Sequence, residues 1–310
     1  MKSKNKKLVY IGAGLIILLA IIFLFGLKNK KTNVAVDTAP FVDSQGRLVV
    51  VTSLFPVYDF AKAVGGDHAS VSLILAPGSE AHAYKLTAGD KEIIKKSALF
   101  FYVSALMESW APALASEVTA KTKVLATADN LNDSSLDPHV WLDFSKASSM
   151  VDNITADYKL VDPANAAYYQ KNADDYKQKL VKLDADYVAG LKDCQFHEFI
   201  SGGHFAFGYL AKRYNLKYQA AQGFVPDSSL DTNKVMKLIQ EIKDTKQPYV
   251  YYEELIMPYL AELIHQNSGA RIMPLNSAHN VGKYDVESGI TFIGLMESDL
   301  KILRMGLDCR

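Results

Sequence analysis

Seven histidines occur among the 310 residues, and four of them stand where a candidate strand ends and a loop begins, the usual location of ligand-bearing groups in open α/β sheets. His82 lies in the turn Pro77-Gly78-Ser79-Glu80-Ala81-His82-Ala83-Tyr84, and His139 in Asp137-Pro138-His139-Val140-Trp141-Leu142-Asp143. His204 follows Ser201-Gly202-Gly203, and His279 ends Leu275-Asn276-Ser277-Ala278-His279. Neutral imidazole is the standard ligand for Zn2+, which favours four nitrogen or sulfur donors. Neither cysteine is near these loops. Four imidazoles carry no charge, so the cation's +2 calls for nearby carboxylates that orient and polarise the rings; Glu80, Asp137 and Asp143 are the candidates. Taken singly, each histidine is better explained by a surface or hydrogen-bonded loop role than by ligation, because short-spaced zinc motifs, H-E-x-x-H among them, are absent. His68, in a Gly-Gly-Asp-His loop, His197, in a polar turn, and His265, on a helix, read as structural or exposed.

The elements that would position these loops alternate. Residues 48–52 form a β-branched run suited to a buried strand, 55–64 have helical spacing, 71–75 are a second strand, 87–97 a helix and 99–103 a third strand. This alternation predicts a parallel sheet with crossover helices. Asp162-Pro163 then opens a stretch compatible with helix to residue 191, amphipathic and about 45 Å long. It reads as a packing helix or as a rigid connector between two lobes. Beyond it, strands at 198–201, 249–252 and 271–275 and helices at 206–214 and 255–268 repeat the pattern.

Residues 1–31 hold seven lysines and no acid, which leaves the rest of the chain net −7. An acidic body argues against a nucleic-acid surface. The uncharged apolar run at 8–27 is long enough to span a bilayer. Its length and the lack of a small-residue cleavage site favour an uncleaved anchor over a cleaved signal peptide, and no cysteine near its end accepts a lipid. Residues 32–47 read as a polar spacer. The two cysteines, Cys194 and Cys309, belong to an exported body, where thiols oxidise. A disulfide between them would contribute about 4 kcal/mol through its long loop; two unrelated buried thiols are the alternative.

Three stretches together resemble the metal-specific solute-binding proteins of ABC transporters, the TroA-like family, in its zinc-receptor branch. They are Pro-Gly-x-Glu-x-His-x-Tyr ending at Tyr84, Asp137-Pro138-His139-Val140-Trp141-Leu142, and the run from His204 through Phe205-Ala206-Phe207-Gly208-Tyr209 to Tyr214. The resemblance covers nearly all of residues 48–309. It implies an α/β fold of two lobes, each a small parallel sheet flanked by helices, joined by one long rigid helix, with the metal between them. The expected organisation is an N-terminal transmembrane anchor at 1–31, a spacer at 32–47, an N-terminal lobe at 48–160, a connecting helix at 161–192 and a C-terminal lobe at 193–310. His82, His139 and His204 match the family's first three ligands, and histidine at the third resembles zinc rather than manganese members. The fourth ligand is usually a carboxylate, and here the sequence departs. Asn276 stands where many members have Asp and His279 where some zinc members have Glu, so His279 is the expected fourth ligand, with Asn276, Asp285 or water as alternatives. The long His-rich loop of some zinc receptors is missing. Cys194 and Cys309 resemble a pair seen in some relatives. The implied function is a non-catalytic, monomeric, membrane-anchored receptor outside the cell membrane that captures Zn2+ and delivers it to an ABC permease and its ATPase. The alternatives are a manganese or other divalent-metal receptor, a surface adhesin with a structural metal and, from another class, a zinc hydrolase using Glu80 as general base.

Overall fold

The computed structural model describes residues 39–118, 121–131, 136–226, 231–253, 259–279 and 281–310. The anchor expected at 1–31 lies outside them. Among the described residues no helix is long and apolar enough to cross a membrane.

The first sheet has four parallel strands, β1 (Leu48–Thr52), β2 (Ala69–Leu73), β3 (Leu99–Tyr102) and β4 (Lys123–Ala126), in the order β2-β1-β3-β4. The second repeats that order as β6-β5-β7-β8, from β5 (Glu198–Ser201), β6 (Lys217–Ala220), β7 (Tyr249–Glu253) and β8 (Arg271–Leu275), again all parallel. Helices α1 (Phe55–Gly65), α2 (Ala88–Lys95), α3 (Ala111–Leu114) and α4 (Phe144–Val161) accompany the first sheet, and α6 (Gly208–Arg213), α7 (Thr232–Thr245), α8 (Tyr259–Ser268), α9 (Lys283–Ser288) and α10 (Phe292–Gly306) the second. In this order the chain leaves the central strand in opposite directions, so each sheet has a crevice at the carboxyl ends of its strands.

Between the sheets runs α5 (Ala166–Leu191). Its buried residues Tyr169, Ala173, Tyr176, Leu180, Leu183 and Tyr187 recur alternately at four and three, a narrow apolar seam. The seam packs on α1 and α4 over its first part and on α10 over its last. The helix starts later than the expected residue 161, because α4 ends at Val161 and Pro163–Asn165 form a separate 3-10 turn closed by the Asp162 carboxylate on Asn165 and Tyr169. Through α5 and α10 a single apolar cluster continues from Leu48 to Leu307. Two smaller clusters lie on the outer parts of the sheets.

Strands β4 and β6 had no counterpart in the sequence reading. Both are four-residue edge strands that begin with an exposed lysine, so neither carries a long apolar run. The described part of the expected spacer is also folded. Val42 bridges Leu48, Asp43 accepts from Arg47 side chain and backbone, and Phe41 packs on the core beneath Lys121. The apolar Phe41 and Val42 give this stretch something to bury, which a solvated spacer lacks. Cys194 and Cys309 form a disulfide that joins the residues ahead of β5 to the end of the chain.

Candidate metal centre

Each of the four histidines stands in a loop that leaves the carboxyl end of a strand. His82 follows β2, in a segment that Glu80 tightens by accepting the backbone N–H groups of His82 (2.8 Å) and Ala83 (2.5 Å). Tyr84 then ties that segment to α2 through Asp90 (2.7 Å). His139 follows β4; Asp137 Oδ1 accepts its backbone N–H at 3.0 Å and lies 2.6 Å from its Nδ1. His204 follows β5, and its N–H donates to Glu253 Oε1 at the end of β7 (3.1 Å). The same oxygen lies 2.7 Å from His204 Nδ1, off the line of an ideal ring hydrogen bond. Gly203 is required here, since a Cβ at that position would overlap Glu253 Oε1. His279 follows β8, with its Nδ1 against the Ser277 hydroxyl, which in turn donates to Glu253 Oε2 (3.3 Å).

A carboxylate only accepts, so Nδ1 of His139 carries the ring hydrogen and its Nε2 is left as a lone pair, and the Glu253 oxygen beside His204 Nδ1 favours the same form of that ring. The Nε2 atoms converge, at 3.2 Å between His82 and His279, 3.4 Å between His82 and His139 and 3.3 Å between His139 and His204. All four donor atoms lie within 4.8 Å of one another. A tetrahedral ion with Zn–N bonds of about 2.0–2.1 Å has edges of about 3.3–3.4 Å between its nitrogens. Three of the Nε2 separations match these edges, so the rings converge at the scale of a zinc site.

His139, His204 and His279 are 0%, 1% and 8% exposed, and His82 is half-buried. Burial holds His139 and His279 well below the ordinary imidazole range and lowers His82 to about 3, with repulsion from neighbouring rings adding to it. The three rings are thus neutral and ready to ligate near pH 7. A cleft of about 600 Å³ opens beside His82, lined by Tyr84, Met107 and Trp110 among others. The two carboxylates that touch the rings, Asp137 and Glu253, carry a formal −2 that matches a divalent cation.

Of the carboxylates expected around the rings, Asp137 alone occupies that place. Glu80 is spent on backbone amides, and Asp143 caps α4 through Ser145 N and pairs with Arg213 (3.0 Å). Asn276 Oδ1 accepts Ala278 N and Asp285 caps α9 at Gly282 N, so neither joins the four-histidine group. Glu253 and Ser277 also contact the rings and were missed by the sequence reading; the one available signal was a charged residue closing the apolar run of β7. His68 packs edge-on against Tyr168, and His265 Nδ1 bonds Ala270 O, both away from the cage.

The family model "ZnuA: Zinc-uptake complex component A periplasmic" matches residues 50–306. The chain belongs to this family. The match takes in both sheets and all four histidines. Among its relatives is the high-affinity zinc uptake system protein ZnuA of Bacillus subtilis (strain 168), 32% identical over 292 residues that cover 87% of this chain and 91% of that protein. The zinc-binding lipoprotein AdcA of Streptococcus pneumoniae (strain R6) is 31% identical over 314 residues and 94% of this chain, which spans about 60% of that relative's length. The crystal structure of the Zn(II)-bound ZnuA-like domain of S. pneumoniae AdcA superposes with a TM-score of 0.75 at 32% identity, covering 85% of this chain and 100% of that one.

Proposed function

We propose that this chain is the extracytoplasmic receptor of an ABC-type zinc importer, with Zn2+ as cargo held by His82, His139, His204 and His279. The observation that carries this reading is the convergence of four imidazoles, three of whose Nε2 pairs lie 3.2–3.4 Å apart, in a largely buried cluster. An all-nitrogen donor set suits zinc better than manganese, which prefers oxygen. Four protein ligands also leave no open position for a reactive water, and Glu80, the candidate base of a hydrolase, is engaged by the backbone. Zinc enters along the cleft beside His82, the one ring of the four that is not fully buried. The partners are a permease and its ATPase. The apolar run at 8–27 anchors the receptor to the membrane, and α5 serves as a rigid connector between two lobes at 48–160 and 193–310. The test is metal content and competitive zinc affinity of the chain and of its His204→Ala and His279→Ala variants. One tightly held zinc, weakened at least tenfold by each substitution, is expected; a wild-type chain that binds no transition metal refutes the receptor.

A further inference from the structure

We infer that His279, although it follows the last strand of the second sheet, is held in place by the first half of the protein, with Trp141 as the residue that positions it. The inference rests on the proposed four-histidine site. Three alternate carbonyls of the His279 segment accept from the first half. Ser277 O takes the indole N–H of Trp141 (2.9 Å), His279 O takes the N–H of Phe55 (3.4 Å) and Val281 O takes the N–H of Gly78 (3.0 Å). Phe55 opens α1, so its N–H is one of those a helix start leaves without an intrahelical partner. Gly78 belongs to the His82 loop. Trp141 is fully buried and stands edge-on to both His139 (ring centroids 5.5 Å apart) and His279 (5.3 Å).

The segment's ties to the second half lie mainly one step earlier. Asn276 N donates to Asp299 on α10 (3.0 Å), and Ser277 reaches Glu253 by its side chain at 3.3 Å. Between the two sets of ties stands Ala278, whose φ of +58° is left-handed and is supported by the bond from its N–H to Asn276 Oδ1 (2.8 Å). The chain thus changes allegiance between residues 276 and 279. His204, by contrast, has its backbone fixed to the second half, by Glu253 at its N–H and by Tyr218, whose hydroxyl donates to its carbonyl (3.0 Å). In these backbone ties the cage divides three to one, with His82, His139 and His279 on one side and His204 on the other.

The experiment is Trp141→Phe, which removes the indole N–H and keeps an aromatic ring against both imidazoles. Zinc affinity and dissociation rate are measured in the wild-type, His279→Ala and His204→Ala backgrounds, with the visible spectrum of bound Co2+ as a report on coordination. Loss of an outer contact of this kind costs about tenfold or more in metal affinity. That loss is expected in the wild-type and His204→Ala backgrounds and is expected to vanish in His279→Ala, because the indole acts through that ring. The Co2+ spectrum of Trp141→Phe should shift toward that of His279→Ala. An equal loss in all three backgrounds, or none in wild type, overturns the inference. If His279→Ala itself leaves zinc affinity unchanged, the four-histidine reading fails instead. Should Trp141→Phe not fold, amide exchange in the wild-type chain decides: protection at Phe55 and Gly78 that survives zinc removal supports the division, and its loss overturns it.

Discussion

Replacing Glu253 by Gln keeps the size of the side chain and an acceptor oxygen but removes the charge that faces His204. Adding a Zn–N bond of about 2.0–2.1 Å and the width of an imidazole to the 2.7 Å contact puts the carboxylate oxygen about 6–7 Å from the cation. At an effective dielectric of about 20, a −1 charge and a +2 charge at that distance attract by about 5 kcal/mol, an upper bound. The amide carbonyl still accepts from the backbone of His204, so the loss should fall within the tenfold to hundredfold range typical of partners behind a metal ligand, about 1.4–2.7 kcal/mol. The metal-free protein should not suffer in the same way, because the substitution takes a charge out of a buried site and keeps an acceptor for the His204 backbone. The signature is therefore a split: unfolding of the metal-free chain changes by less than about 1 kcal/mol, while the added stability from saturating zinc shrinks by the lost binding energy. Competition against a chromophoric chelator gives the affinity, and denaturant unfolding with and without zinc gives the rest. Zinc affinity within twofold of wild type would refute the claim that Glu253 polarises His204 and neutralises the cargo.

Two further outcomes follow from the same geometry. In the metal-free chain His82, His139 and His279 resist protonation when folded but titrate near 6.5 when unfolded, so the unfolded state binds more protons in acid. Their contribution is fully present above pH 6.5 and is lost as pH falls, by about 1 kcal/mol per ring between pH 6.5 and 5.5. Glu108, which burial raises to about 7, acts in the opposite sense by about 1 kcal/mol over that interval. Asp157, which burial raises to about 6, offsets part of the loss as well, so denaturant midpoints should fall with pH in wild type and fall by about 1 kcal/mol more in Glu108→Gln, and an equal change in the two chains would contradict the raised carboxyl. Replacing Cys194 and Cys309 by Ser, which opens a loop of 115 residues, should cost about 4–5 kcal/mol of stability by loop entropy. Zinc affinity should stay within about twofold, because the bridge sits ahead of β5 and the cage beyond its other end; a loss beyond tenfold would tie the bridge to the site.

Much of the fold was legible because its signals are local. The β-branched run of β1, the Pro at the start of α1 and the alternation of strands and helices are set by neighbours in the chain. Edge strands β4 and β6 were not, since their residues become strand only by pairing with β3 and β5. The same boundary runs through the site. Sequence alone placed four histidines at strand ends and offered Asp137, with Glu80 and Asp143, as a carboxylate for them; Asp137 meets His139, two residues away, where chain connectivity favours the contact. Proximity in sequence also misled: Glu80 and Asp143 stand near the ligands, yet the first turn of a helix and a tight loop claimed their oxygens. Only the tertiary structure brought Glu253 to His204 across 49 residues and Trp141 to Ser277 across 136, and it gathered His279 rather than Asn276 or Asp285 with the other three rings. Those contacts depend on strand order and on how two sheets meet through α5 and α10. Neither is written in the spacing of any single segment, because sheet order is decided by which faces bury together once the whole chain has collapsed.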